Sequence, residues 1–263
     1  MITSNPFSEL SEFVHPLIMQ SFVVLMIFLA AFGTILDMIH KKNVKYFFEN
    51  AKKIKKSAIK SLTSSEKTSV IFKTFSSDIL TTSELNGKRR LAHLFGMYGT
   101  LVFWVTSFIM IFYYSSPTET TPLAIPFLWH LGAIFTVLGG SWFWFFLRVD
   151  VTAESYPWYR ITVADLFVLS LLVTQATGFS WSFFQYFEIS ALDSLFLIFF
   201  IISNLILFGG VYWSKFAHMF YKPGAAIQKN LAEADGSRDN LPPPADAPEK
   251  YGMGIKREAP KHY

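Results

Sequence analysis

The sequence predicts an all-α membrane protein, a bundle of five transmembrane helices, and three observations point there. Of 263 residues, 52% are hydrophobic and only 16% charged, with 29 Phe, 11 Tyr and 7 Trp. A water-soluble domain of this length seldom carries so much apolar surface. Five stretches reach the roughly 20 apolar residues that a span needs. They lie at about 13–39, 91–114, 123–147, 161–184 and 192–220. No sustained two-residue alternation suggests a barrel. Backbone groups in lipid must be bonded within their own segment, so each stretch is predicted to be helical.

Charge placement predicts the orientation. Residues 1–40 contain no Lys or Arg, whereas the loop from Lys41 to Arg90 holds thirteen of the 23. The links Ser115–Pro122 and Gln185–Ser190 have none; the third link carries Arg148 and Arg160. Lys215 lies near the end of the fifth stretch, and seven more basic residues follow from Lys222. Every second connection is basic, which predicts an outside N-terminus and an inside C-terminus. Residues 1–14 lack a basic run and a small-residue cleavage pattern, so the first stretch reads as retained rather than as a signal peptide.

Outside the spans, the long loop contains KTSVIFKTFSSDIL (Lys67 to Leu80), apolar at roughly helical spacing. It reads as an amphipathic helix on the inner leaflet, with a solvated charged linker as the alternative. Residues 224–263 are rich in Ala, Pro and charge around LPPPADAPEK. That composition predicts a tail that is disordered or ordered by a partner. The chain has no cysteine, which excludes thiolate-bound iron–sulfur clusters, disulfides and a cysteine nucleophile.

Histidine placement carries the functional reading. KRRLAHLFGMYG opens the second stretch and YWSKFAHMFYKP is read as closing the fifth. His93 and His218 then sit on antiparallel helices, each three to five residues from the basic boundary. Imidazole inside an apolar helix is costly and is a functional hypothesis by default. Two imidazoles at one depth suit the axial positions of a haem iron. Arg89, Arg90 and Lys215 are candidate partners for its propionates. Gly96, three residues after His93, leaves room on that face for a flat macrocycle. The plain alternative places each histidine in the headgroup region and uses the glycines for helix packing.

A second haem between His15 and His130 is the weaker option, because the two differ in depth. Otherwise His130 hydrogen-bonds within the bundle or lines a quinone pocket. His40 caps the first helix's C-terminus, and His262 is solvated. Thr174, Gln175 and Thr177 are read either as quinone-binding donors or as helix–helix hydrogen bonds. Asp165 is expected to pair with Arg160, Arg89 or Lys215. No two histidines lie within five residues of each other, which argues against a diiron hydroxylase or desaturase.

With RRLAHLFGMYG and SKFAHMFYKP in place, the layout resembles the membrane cytochrome b family of the respiratory nitrate reductase gamma chain. It also resembles that family's relatives, the membrane cytochrome of heterodisulfide reductase and the membrane domain found in quinone-interacting oxidoreductase complexes. The likeness covers about residues 10–223 and is specific at those two motifs. It implies haem b on His93 and His218 and electron exchange with quinone. It also implies a cytoplasmic iron–sulfur partner, no nucleic acid, and residence as a multi-pass protein in a prokaryotic cell membrane. The family usually carries a second, outer haem on a histidine higher in the fifth span. No histidine lies between Leu192 and Ala217 here, nor about ten residues after His93. The sequence reading is thus an electron-transfer subunit of a respiratory redox complex. A cofactor-free membrane anchor for a catalytic partner is the alternative.

Overall fold

A computed structural model describes residues 1–237. Among these, all regular structure is helical. Five helices are long and apolar enough to cross a membrane: Pro16–Lys41, Gly87–Tyr113, Ala124–Leu147, Val163–Tyr186 and Ser190–Gly209. Four begin and end within a few residues of the predicted stretches. The fifth stops eleven residues short of Phe220. The chain forms two compact units, Met1–Asp37 with Leu91–His218, and Met38–Arg90 with the residues from Met219 onward.

In the first unit, α1 (Pro6–Leu10) is a short helix capped by Asn5, whose Oδ1 accepts from Phe7 N at 3.0 Å. The Asn5 amide nitrogen donates to Tyr114 O and Thr121 Oγ1. Gln185 donates to Pro6 O, and the Phe7 ring sits 5.3 Å from Trp181 and 5.9 Å from Trp129. α1 therefore closes one end of the unit. It is too short for apolar periodicity to reveal it.

The spans are α2 (Pro16–Lys41), α5 (Gly87–Tyr113), α6 (Ala124–Trp142), α8 (Leu166–Tyr186) and α9 (Ser190–Gly209). A π-helical turn, Phe143–Leu147, extends α6, and α7 is the single turn Val149–Thr152. Small residues set how closely α5 and α6 approach. A methyl on Gly132 would stand 2.7 Å from Gly99 O, and one on Gly139 would stand 2.5 Å from Ala92 O. Side chains there would hold the backbones apart. Gly140 packs on Leu172, and Gly178 packs on Phe200. Along each interface the paired residues run in opposite order, Ala92 with Gly139 and Gly99 with Gly132, His130 with Ser182 and Gly140 with Leu172, Gly178 with Phe200 and Phe184 with Phe196, so α5, α6, α8 and α9 alternate in direction. The interior is aromatic: Phe103 stacks on Trp129 at 4.7 Å and Trp181 on Phe200 at 5.8 Å. Only 17% of the α2 window is buried against 39% for α6, so α2 is peripheral and α6 central. The outward faces carry large apolar side chains such as Phe28, Val105 and Ile202, as lipid contact requires.

α9 ends where Gly209 and Gly210 lower helix propensity. A Cβ at Gly210 would lie 2.6 Å from Ile206 O. The following turn stays apolar because Val211, Phe216 and Ala217 are buried. Hydropathy alone therefore runs the span on through a segment that is not helical.

The second unit contains α3 (Asn43–Lys56), α4 (Ser64–Thr74) with its π-helical extension Phe75–Leu80, and α10, which opens at His218 and runs to Ala234. Thr63 and Glu66 form a capping box at the start of α4. A helix thus occupies the predicted 67–80 region, with Phe72 and Phe75 exposed. Residues 224–234 of the stretch read as disordered or ordered by a partner are helical: α10 continues through Pro223 because strong helix formers follow and because it docks. Asn230 donates to Thr74 Oγ1 and Asp78 Oδ2, at 2.8 and 2.7 Å. Ile59 N and Lys60 N donate to Asp235 O, and Lys222 pairs with Glu84. The remainder of the expected tail, residues 238–263, lies outside the described residues.

Two outcomes are expected. Gly132→Leu must separate α5 from α6, and thermal unfolding in detergent should show a loss on the order of 3 kcal/mol. In the second unit, hydrogen bonds from Ser83, Asn230 and Ser77 hold the Asp78 carboxyl below its ordinary value. A carboxylate so depressed stabilises fully above its unfolded pKa, about 3.9. That contribution is lost as pH falls through the lower folded value. Amide exchange of α10 should accelerate over that acidic window, and Asp78→Asn should flatten the dependence.

Candidate functional site

The antiparallel contacts determine which residues share an end. Ala92 and Gly96, at the start of α5, meet Gly139 near the end of α6. Gly140 meets Leu172 near the start of α8. Phe167, at that start, touches the Phe216 ring at 5.1 Å and the His218 ring at 6.3 Å. His93 and His218 therefore lie at the same end of the first unit, opposite α1. Trp104 links α5 to the turn before His218, 6.1 Å from Phe216.

The motif YWSKFAHMFYKP does not close α9; His218 is instead the first residue of α10. Both His93 and His218 are exposed on the protein surface. His218 Nδ1 bonds to the Lys215 carbonyl. A carbonyl only accepts, so Nδ1 carries the proton and Nε2 keeps its lone pair. A backbone carbonyl on the far nitrogen is how proteins prepare an imidazole for a metal. Lys215 thus acts here through its backbone, with its side chain exposed. A Cβ at Gly96 would meet nothing within 4 Å, whereas Gly99 is pressed against Thr136. Gly96 therefore has open space on its free side, and Gly99 belongs to the helix contact. Of the other expected propionate partners, Arg90 Nε donates to Thr81 O at 2.8 Å, and Arg89 is half-buried; both belong to the second unit.

The geometry speaks against the pairing expected for a second haem. His130 is 1% exposed, and both of its ring nitrogens are engaged. Nδ1 donates to Pro126 O at 2.7 Å, and Nε2 accepts from Ser182 Oγ at 2.9 Å. An iron would have to displace Ser182. His130 ties α6 to α8, the intra-bundle role that the sequence left open. His15 stands exposed just before α2 and accepts from Leu17 N.

Asp165 pairs with Arg148, at 3.1 Å, rather than with Arg160, Arg89 or Lys215. Arg148 is 4% exposed, lies 4.1 Å over the Trp144 ring and donates to Arg160 O at 2.5 Å. In the sequence Arg148 counts only as a loop charge; its place as a lone Arg just past an apolar stretch is the signal for this role. Asp37 is a second buried charge without a sequence signal, 1% exposed within α2. Thr177 bonds back to Val173 O. Gln175 is fully buried, and its amide meets no partner among the described residues. The helix–helix hydrogen bonds expected of that cluster are therefore not formed. Among the described residues no group of three or more His, Cys, Asp or Glu could share a metal.

Asp165→Asn should remove the carboxylate charge 3.1 Å from buried Arg148. A loss on the order of 3 kcal/mol is expected in denaturant unfolding, larger than for Arg160→Met. Comparison with protein-family models, curated proteins and solved structures found no match to this chain.

Proposed function

We propose that the chain is a b-type cytochrome subunit of a respiratory redox complex, with haem b held by His93 and His218. In this reading it passes electrons between membrane quinone and a cytoplasmic iron–sulfur partner in a prokaryotic cell membrane. One observation carries the reading: the His218 Nδ1 bond to the Lys215 carbonyl, which leaves Nε2 available at the bundle end where His93 also stands. The open space beside Gly96 fits a flat ring. The bound haem supplies one-electron storage.

The residues around it have separate tasks. Lys215 O fixes the His218 tautomer. Phe167, backed by Phe216, packs beside His218 and shields that flank. The Arg148–Asp165 pair anchors the start of α8, which carries Phe167. The charge pattern favours the histidine end facing inside, since the 41–90 loop holds thirteen Lys and Arg.

The alternative, a cofactor-free anchor, draws on the folded second unit, whose α3 carries Lys45, Lys52, Lys53, Lys55 and Lys56. Such a basic helix is a ready docking element.

The visible spectrum of the purified protein separates the two. Reduced b-type bands are expected, and they should vanish in His93→Ala and in His218→Ala while helical circular dichroism is unchanged. Normal bands in both variants would overturn the ligand assignment, and folded wild-type protein lacking bands would leave the anchor reading.

A further inference from the structure

A cavity of about 350 Å³ lies within the first unit, between α2 and the faces of α5, α8 and α9. This is the size of a small-molecule site. Met19 and Met26 wall it on one side, Phe103 and Phe200 on the other. Among the described residues no Lys, Arg, His, Asp or Glu lines it, so a charged headgroup finds no counter-ion among them. Its rim includes Ile18, Ile27 and Phe108, which are exposed on the faces that meet lipid. An occupant therefore arrives sideways from the bilayer.

Two indole nitrogens in the wall, those of Trp104 and Trp181, have no hydrogen-bond acceptor among the described residues; Trp181 stands beside Asp193, which leaves Trp104. Ser107 is already used, accepting from Trp129 Nε1 and donating to Phe103 O. Asn204 donates to Phe200 O. The Trp104 indole nitrogen is shielded and meets no acceptor among the described residues. A buried N–H without an acceptor is costly, and a ligand oxygen would remove that cost. The same indole leans on Phe208 and Phe216, so the donor lies toward the histidine end of the cavity.

We propose that this cavity binds a neutral lipophile whose acceptor oxygen takes the Trp104 N–H and whose apolar body lies against Met19 and Met26. The carbonyl of a membrane quinone and the ester carbonyl of a neutral lipid share that chemistry. The site stands on the cavity and the indole, and does not depend on haem being bound.

Full-length protein in detergent would be equilibrated with decyl-benzoquinone in one arm and dioctanoylglycerol in the other. Bound probe per polypeptide is then measured by chromatography after gel filtration. Saturable binding near one per chain is expected in at least one arm, and the arm that binds identifies the source. Trp104→Phe keeps a ring and deletes the donor; it should weaken that binding about three- to tenfold. Met26→Trp should fill the cavity and abolish it. Bound probe is counted whether or not haem is present, so failure of the haem reading leaves this test intact. No saturable binding in either arm overturns the proposal. Wild-type affinity in Trp104→Phe, which keeps the result readable should Met26→Trp misfold, also overturns it.

Discussion

The close contact of α5 with α6 sets the frame of the membrane unit. Gly99 and Gly132 bring the two backbones together with no side chain between them, and Gly139 does the same against Ala92 and Gly96. Lipid offers little hydrophobic drive between helices, so close packing of small residues must supply the association. This contact determines which turn of α5 faces which turn of α6. Through Leu172 and Phe167 it carries over to α8 and to the turn before His218. The position of His93 relative to His218 thus depends on the glycine contacts between α5 and α6.

Polar groups in the membrane unit differ in burial and in bonding. His130 and Ser182 join α6 to α8, and Arg148 with Asp165 and the Arg160 carbonyl closes the link between the same helices. These groups are buried and bonded, as a low-dielectric interior demands. His93 and His218 are exposed, and His218 presents a prepared nitrogen. Trp104 presents an unmet donor to an apolar cavity. A buried donor without an acceptor, such as the Trp104 indole, is where a ligand gains most, since binding then removes a cost already present.

The second unit shows how a charged loop acquires structure without an apolar core of ordinary size. α10 returns to the loop, and Asn230 bridges Thr74 and Asp78. Asp235 O receives two backbone donors from Ile59 and Lys60. Gly236, at φ +79, packs against Ile59. The left-handed backbone that glycine allows lets the chain turn there. Polar bonds between segments distant in sequence do here what close packing of small residues does in the spans.

The sequence by itself determined the five apolar helices, because lipid imposes length and composition on every span. It also singled out His93, His218 and Gly96 as candidates, because each is read from its local surroundings in the chain. Tertiary structure decided the rest. The end of α9 is not legible in the sequence because Val211, Phe216 and Ala217 are buried in a turn and look like helix by hydropathy. α10 is hidden because its support comes from the loop at Thr74 and Asp78 rather than from its own apolar content. The roles of His130 and Arg148 rest on Ser182 and Asp165, partners 52 and 17 positions away along the chain. No periodicity encodes such pairings. They arise only when packed helices bring the partners into hydrogen-bonding range.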